Sequence, residues 1–302
     1  MSCPCALSLA TPVAYTVALL SVRHVGVVIN AGRFLERLAD VTRIVFDKTG
    51  TLTLGRLRIE NAVLVGSLDE ARALDIAGAL ERDSRHPIAL AFTRGATIEV
   101  EAREIVPGKG VSGQIDGQHY RLGKPGFAAP GLECTPPDAE GLWVMLAGDE
   151  PIAWFRLRDE IREESRSVIE RLGRSADLSI LTGDASDEGA RIAGALGIAD
   201  VGIGLDPAAK IEHIRRYQQA GDVVMMVGDG VNDAGSMSAA DTSLAVSPAD
   251  VVVQEAADAT LLSGNLGGIE SLIRYSKRVR RIIRQNVIWA VGYNASLIPS
   301  GL

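Results

Sequence analysis

Residues 44–53 read Ile44-Val45-Phe46-Asp47-Lys48-Thr49-Gly50-Thr51-Leu52-Thr53. A short apolar run rich in branched residues predicts a buried strand, and here it stops at a carboxylate followed by a Gly- and Thr-rich turn. Asp47 is thereby placed at the carboxyl end of a strand, the edge at which open α/β sheets bind ligands. A carboxylate held there is able to attack a phosphoryl group and form an aspartyl-phosphate. Lys48 and the hydroxyls of Thr49, Thr51 and Thr53 suit a site that gathers phosphate oxygens. An isolated Asp at a strand end commonly does no more than cap a turn; seven residues reading DKTGTLT carry more information than that.

Further along, Leu178–Leu181 predicts a second buried strand, ending in Thr182-Gly183-Asp184. A helix over 187–196, a short strand over 201–204 and a helix over 207–220 follow. Lys210 lies in the first turn of that last helix, where acidic residues are the usual choice, and so hints at an anion nearby. Val223–Val227 then predicts a strand leading into Gly228-Asp229-Gly230-Val231-Asn232-Asp233-Ala234. Asp47, Thr182 and Asp229 all fall at carboxyl ends of predicted parallel strands separated by helices, the pattern of an α/β fold. The carboxylates of Asp47 and Asp229 with a backbone carbonyl near Thr49 suit one octahedral Mg²⁺. Thr182, Lys210 and the loop amides are placed to stabilise transferring oxygens.

The intervening stretch has a different character. Residues 69–82 have helical periodicity with an acidic first turn, and Glu81 precedes Ser84-Arg85-His86-Pro87. A His-Pro pair alone is a weak signal, since proline commonly opens a helix. Gly108-Lys109-Gly110 with Gly113 looks like a dinucleotide loop, but that fold needs the glycines between a strand and a helix. Asp116-Gly117 between alternating residues instead predicts a hairpin. Residues 142–157, broken at 148–151, read as another antiparallel pair, and Cys134 as incidental.

The chain has 302 residues and a net charge of −7, which gives no support to nucleic-acid binding. Three cysteines do not make a disulfide framework, in keeping with a reducing cytosol. A mean hydropathy of +0.15 is high for a wholly soluble protein. Cys3 to Val22 carries no formal charge, about the length that crosses a bilayer. No basic stretch precedes it, which argues against a signal peptide. Within it, Pro4 opens the helix locally, letting the thiolates of Cys3 and Cys5 face one point; soft thiolates select Cu(I) or Zn(II). A lone Cys-x-Cys is equally two buried small apolar residues. Residues 26–40 are expected to extend this helix. At the other end, Arg274, Lys277, Arg278, Arg280, Arg281 and Arg284 precede the apolar run 287–302, as at the cytoplasmic end of an entering membrane helix. Tyr293 and Asn294 are ligand candidates there by default, although Tyr293 suits an interfacial anchor equally well.

Together these strings resemble the P-type ATPases of the haloacid dehalogenase superfamily. DKTGTLT resembles their phosphorylation signature, Ser84–Ala89 with Glu81 their adenine-binding SxHPxA motif, and CPCALSLATP the ion-binding helix of the heavy-metal branch. Three letters depart: Arg85 stands where an acidic residue is frequent, Ala185 replaces the Asn after TGD, and Gly235 the Pro after GDGxNDA. The resemblance implies an α/β, haloacid dehalogenase-like Rossmannoid phosphorylation domain with an inserted α+β nucleotide-binding domain, flanked by transmembrane helices. The boundaries expected are 1–40 membrane helix and stalk, 41–58 and 156–262 phosphorylation domain, 59–155 nucleotide-binding domain, and 263–302 stalk and next membrane helix. It implies a catalytic set of Asp47, Lys48, Thr49, Thr182, Gly183, Asp184, Lys210, Asn232 and Asp233. ATP is expected at Glu81, His86, Gly108 and Gly110, and Mg²⁺ at Asp47, Thr49 and Asp229.

Cu(I) is the cargo implied, held by Cys3, Cys5, Tyr293 and Asn294. The stretches GLWVMLAGDEPIAWFRLRDEIR and RRIIRQNVIWAVGYN are similar to copper exporters that serve cytochrome oxidase maturation. Their TGE-bearing actuator domain, earlier membrane helices and N-terminal CxxC domain have no counterpart in the sequence. The chain is thus expected to be a C-terminal part of a multi-pass pump of a bacterial inner or plasma membrane, with cytoplasmic catalytic domains. Its partners would be the missing N-terminal part, the lipid bilayer, copper and a copper chaperone, and no nucleic acid. Two alternatives stand beside it. A soluble phosphatase of the superfamily would want a second Asp where Thr49 stands; a metal-binding remnant would not turn over.

Overall fold

The computed structural model describes residues 5–23, 26–84, 87–92, 98–138, 141–229, 233–246 and 257–297. The chain divides into two compact units: Met1–Leu52 with Arg162–Ala185 and Gly189–Leu302, and Thr53–Ile161 with Ser186–Glu188.

The first unit is built on a seven-stranded sheet. Its strands are β1 (Val27–Ile29), β2 (Arg43–Phe46), β9 (Asp177–Leu181), β10 (Asp200–Gly202), β11 (Val224–Gly228), β12 (Thr242–Ala245) and β13 (Ala259–Leu261), in the order β1-β13-β12-β11-β2-β9-β10. Every pairing is parallel except that of β1 with β13. The central strands are apolar on both faces: Ile44, Val45, Phe46, Ile180, Leu181 and Val224–Val227 are all buried, as strands covered by helices on both sides must be. In register, Phe46 pairs with both Val227 and Ile180. The residues that follow, Asp47, Gly228 and Leu181 with Thr182, therefore reach the carboxyl edge side by side.

Helices α5 (Ser165–Leu172), α6 (Glu188–Leu196), α7 (Pro207–Gln219) and α8 (Ala234–Ala239) alternate with these strands. The start of α7 is set locally. Asp206 caps it by accepting from the amide of Ala209 at 2.7 Å, and Pro207 fills the first turn, where no amide is needed. Ile214 then anchors the helix in a cluster with Val45, Val224 and Met226.

The ends of the chain contribute α1 (Cys5–Arg23), α2 (Phe34–Leu38) and α9 (Gly267–Leu297). Two expectations change here. Residues 26–40 are not a continuous helical extension of α1: Gly26 turns the chain at φ +76, and the β-branched run that follows pairs as β1 with β13. Nor, among the described residues, is any helix long and apolar enough to cross a membrane. In α9 the reason is plain, since its first 18 residues carry Glu270, Arg274, Lys277, Arg278, Arg280, Arg281 and Arg284. The span expected over 3–22 lies partly outside the described residues.

The second unit is a six-stranded antiparallel sheet ordered β3-β8-β7-β6-β5-β4. Its strands are β3 (Thr53–Leu64), β4 (Glu101–Val106), β5 (Gly110–Ile115), β6 (Gln118–Gly123), β7 (Leu142–Ala147) and β8 (Pro151–Ile161), joined by α3 (Glu70–Glu81) and α4 (Pro125–Ala128). Asp116 and Gly117 turn the β5–β6 hairpin at φ +51 and +78, the two positive values a type I′ turn requires. Ile76, Leu80, Phe92, Leu122, Leu146 and Phe155 fill the core beneath. Strands β3 and β8 carry the sheet out to Thr53 and Ile161, which pair with each other. The sheet thus runs beyond 59–155, the bounds expected for the inserted domain, through stretches that carry alternating charges (Arg56 and Arg58, Arg158 and Glu160).

Candidate active site

Asp47 is fastened to the neighbouring strand by its own amide, which donates to the carbonyl of Val227 at 2.8 Å. Its side chain is buried. Oδ2 accepts from the Thr49 amide at 3.0 Å and Oδ1 from Lys210 Nζ at 2.7 Å. Lys210, also buried, makes a second bond to Asp233 Oδ1 at 2.8 Å. Burial and the Asp233 carboxylate push Asp47 up to about 6 against the pull of Lys210, and Asp229 adds in the same direction. For Lys210 burial opposes the charge, but Asp47 and Asp233 outweigh it and hold the ammonium above its ordinary value. Asp47 is thus a carboxylate that is ionised at neutral pH yet poorly solvated, a suitable state for a nucleophile.

The loop after Asp47 is folded around Gly50, at φ +74. A Cβ at that position would stand 3.5 Å from Asp229 Cβ and 3.6 Å from its Oδ2, ordinary contact distances, so it is the positive φ of the turn that calls for glycine. Lys48 is buried and ion-paired to Asp184. Thr182 Oγ1 accepts from the Asp184 amide at 3.1 Å, and Gly183 is exposed at the same edge. Thr49 is exposed.

The reading of the loop hydroxyls as a phosphate-gathering set needs correction at two positions. Thr53 is fully buried in the second unit, where its hydroxyl donates to Asp159 Oδ2 at 2.6 Å. Thr51 is also fully buried, and its Oγ1 has no hydrogen-bond partner among the described residues.

One residue that motif reading passed over holds this loop. Arg162 donates through Nε to the carbonyl of Thr51 at 2.9 Å, through Nη2 to that of Gly50 at 2.9 Å and through Nη1 to that of Gly264 at 3.1 Å. Beside it, Ser165 Oγ donates to the carbonyl of Leu52 at 2.9 Å. Arginine alone offers a rigid fork with enough donors for three carbonyls. Nothing local in Asp159-Glu160-Ile161-Arg162 marks that role, because the partners lie over a hundred residues away.

Asp233 and Asp229 both act electrostatically on Asp47, Lys210 bonds Asp47 and Asp233, and Lys48 is paired with Asp184. Such a gathering of hard anionic oxygen fits Mg²⁺. Among the described residues no three His, Cys, Asp or Glu side chains gather about one point to hold a metal unaided. The donor set at issue needs only two carboxylates, Asp47 and Asp229, with the Thr49 carbonyl. Asn232, His86 and Cys3 lie outside the described residues, as do the side chains of Cys5, Tyr293 and Asn294.

The second unit has a cavity of about 250 Å³ lined by Glu81, Gly108, Lys109, Gly110, Lys124 and Trp143 among others. Three of the four expected nucleotide residues are thereby brought together. Their reasons for being there differ. Gly108, at φ +72, faces open space. Gly110 pairs with Gly123 across β5 and β6 so closely that a Cβ on Gly110 would lie 2.2 Å from the carbonyl oxygen of Leu122. Gly110 is thus required first by the sheet itself.

A parallel sheet that collects carboxylates and a buried lysine at one edge, with an antiparallel unit inserted after its first motif, defines a Rossmannoid hydrolase. The chain belongs to the haloacid dehalogenase-like hydrolase family, which matches residues 41–241. It is 33% identical over 316 residues to copper-transporting ATPase 2 of Rhizobium meliloti (strain 1021), covering 99% of this chain and 38% of that protein. It is 37% identical over 307 residues to the nitrogen fixation protein FixI of the same organism, covering 99% of this chain and 39% of FixI. Among solved structures, a zinc-transporting PIB-type ATPase in its E2.Pi state superposes with a TM-score of 0.84 at 30% identity, over 99% of this chain and 51% of that one. The chain spans about two fifths of the length of these curated relatives.

Proposed function

We propose that the chain is the catalytic part of an ATP-driven pump that exports Cu(I) through an aspartyl-phosphate on Asp47. The observation that carries this reading is the buried Asp47 carboxylate at the edge of β2, pinned by Lys210 and the Thr49 amide. Thr49 stands where a hydrolase of the family that acts alone would want a second carboxyl to activate water. The site is therefore suited to forming the acyl phosphate and poorly suited to hydrolysing it.

In the proposed reaction an ionised Asp47 oxygen attacks the γ-phosphorus of ATP; the bond to the β-phosphate oxygen breaks and ADP departs with that electron pair. Lys210 fixes the carboxylate and keeps Asp233 from repelling it. Thr49, Thr182 and Gly183 present an exposed hydroxyl and backbone at the edge where the phosphoryl oxygens arrive, while Lys48 holds Asp184 in place. Mg²⁺, when bound by Asp47, Asp229 and the Thr49 carbonyl, would neutralise phosphate charge. In the second unit Glu81 and His86 take the adenine, and Gly108 with Gly110 lines the cavity. Asn232, three residues after Asp229 in sequence, belongs to the proposed catalytic set.

Cu(I) rather than Zn(II) is proposed as cargo because Cys3 and Cys5 are soft ligands, with Tyr293 and Asn294 as polar partners. Neither 3–22 nor 287–302 contains an acidic residue or a lysine to complete or balance a divalent site. Names of relatives support copper, although the superposed structure belongs to a zinc pump. The same reading makes the bilayer, a copper chaperone and an N-terminal part with an actuator domain the partners, and places the catalytic units in the cytosol. The test is labelling with γ-phosphate-labelled ATP and Mg²⁺. An acid-stable, hydroxylamine-sensitive phosphoprotein is expected, absent in Asp47→Asn; a label that persists in that variant would exclude Asp47 as nucleophile.

A further inference from the structure

The first unit contains a concave site lined by none of the residues used in the chemistry above. It is a cleft of about 990 Å³ between α5 and α9, with the end of α1 at its rim. Six cations line it, Arg171, Arg174, Arg274, Lys277, Arg278 and Arg281, against a single acid, Glu270. Four of the six stand at helix spacing 274, 277, 278 and 281, so they form one stripe on α9.

Charge runs on helices are usually solvated faces, and three observations set this one apart. First, the cations converge on a hollow from two elements instead of spreading over a convex face. Second, the single acid is already engaged: Glu270 pairs with Arg171 at 2.8 Å and with Arg274 at 3.8 Å. Among the described residues Lys277, Arg278 and Arg281 form no ion pair, in a chain whose net charge is −7. Third, α9 changes character just beyond the stripe. Val287, Ile288, Trp289 and Val291 are exposed, Trp289 by 79%. Arg281 precedes Val287 by six residues, about 9 Å along a helix, a reach comparable to the headgroup layer of a bilayer.

We propose that this cleft is a docking site for the phosphate headgroup of anionic phospholipids. The cations would take the phosphate oxygens while the apolar turn with Trp289 enters the hydrocarbon edge, an arrangement matching the separate preferences of basic and aromatic side chains at membrane surfaces. Docking there would tie the unit that carries Asp47 to the membrane surface. The proposal rests on the membrane reading of the pump but not on its chemistry.

The full chain is tested by flotation with phosphatidylglycerol vesicles and with phosphatidylcholine vesicles. Binding is expected to favour the anionic vesicles, and Arg278→Gln with Arg281→Gln to weaken it about tenfold or more. Arg278→Lys with Arg281→Lys should retain it, as should the charge-matched control Arg56→Gln with Arg215→Gln. Inorganic phosphate is titrated in parallel. Saturable phosphate binding that the Gln variants abolish, with vesicle binding unaffected, would reassign the cleft to a free anion and overturn the lipid proposal. Equal binding to both vesicles, or equal losses in the cleft and control variants, would overturn it as well. Labelling of Asp47 in the same preparations separates the two readings, because an intact label with headgroup-independent binding sinks only the lipid cleft. Loss of label with headgroup selectivity retained sinks only the pump.

Discussion

Lys210 Nζ stands 2.7 Å from Asp47 Oδ1 although 163 residues separate the two in sequence. The same ammonium reaches Asp233 at 2.8 Å, so one cation keeps two buried carboxylates from facing each other bare. Most of what the site can do follows from that relationship.

Replacing Lys210 by Met removes the cation and leaves a side chain of similar length. Asp47, already pushed up to about 6 by burial and Asp233, is then pushed further up. Phosphoprotein formation at pH 7 is expected to fall at least about tenfold, and the pH of half-maximal labelling to move upward. The measurement is initial labelling rate between pH 5 and 9. A lower rate with an unmoved pH profile would assign Lys210 to packing alone.

The raised value of Asp47 also makes stability depend on pH. The folded state holds a proton on this carboxyl more tightly than the unfolded chain, whose value is near 3.8. The stability it contributes is therefore fully present below about pH 4 and is lost as pH rises through about 6. Asp47→Asn abolishes this dependence. Urea unfolding is expected to show the variant gaining on the parent between pH 4 and 7, by an amount on the order of 2 kcal/mol. Parallel curves across that window would contradict the assignment.

Arg162→Met breaks three hydrogen bonds to loop carbonyls. We expect a stability loss of about 2 kcal/mol and a larger fall in labelling, because the Thr49–Leu52 segment loses its fixed path. Arg162→Lys should recover charge but little activity, since one ammonium does not span three acceptors. Denaturant unfolding and labelling on the same variants check both points; wild-type labelling in Arg162→Lys would make the fork geometry irrelevant.

Glycine replacements in the second unit should separate binding from folding. Gly110→Val is expected to disrupt the β5–β6 pairing, since its side chain meets the Leu122 carbonyl; circular dichroism and unfolding curves will register it. Gly108→Ala meets only open space and is expected to cost about 1 kcal/mol for its positive φ while the unit stays folded. Nucleotide contact is therefore best read from Glu81→Gln and His86→Gln, each expected to weaken ATP binding severalfold by calorimetry. Unchanged affinity in both would move the adenine elsewhere.

Much of this architecture is legible in the chain itself. Ile44-Val45-Phe46 and Val223–Val227 announce buried strands because both faces of a parallel sheet are covered, and Asp116-Gly117 announces a hairpin because few other pairs accept two positive φ values. Residues 26–40 read as helix because they follow the apolar run 3–22 as its extension. Only the partnership with β13 reveals Val27–Ile29 as a strand, since an edge pairing depends on a segment more than two hundred residues away.

The same division holds within the site. The sequence alone determined that a carboxylate follows a buried strand, that glycine and threonine fold the turn after it, and that Thr182 and Asp229 lie at equivalent strand ends. Those are properties of a few adjacent residues. Tertiary structure alone decided that Lys210 bridges Asp47 and Asp233, that Arg162 grips the loop carbonyls, that Thr53 serves Asp159, and that the α9 cations meet those of α5 around a hollow. Each of these depends on the register of strands and the packing of helices that bring distant segments within 4 Å, and no local pattern encodes which side chains meet once that register is set.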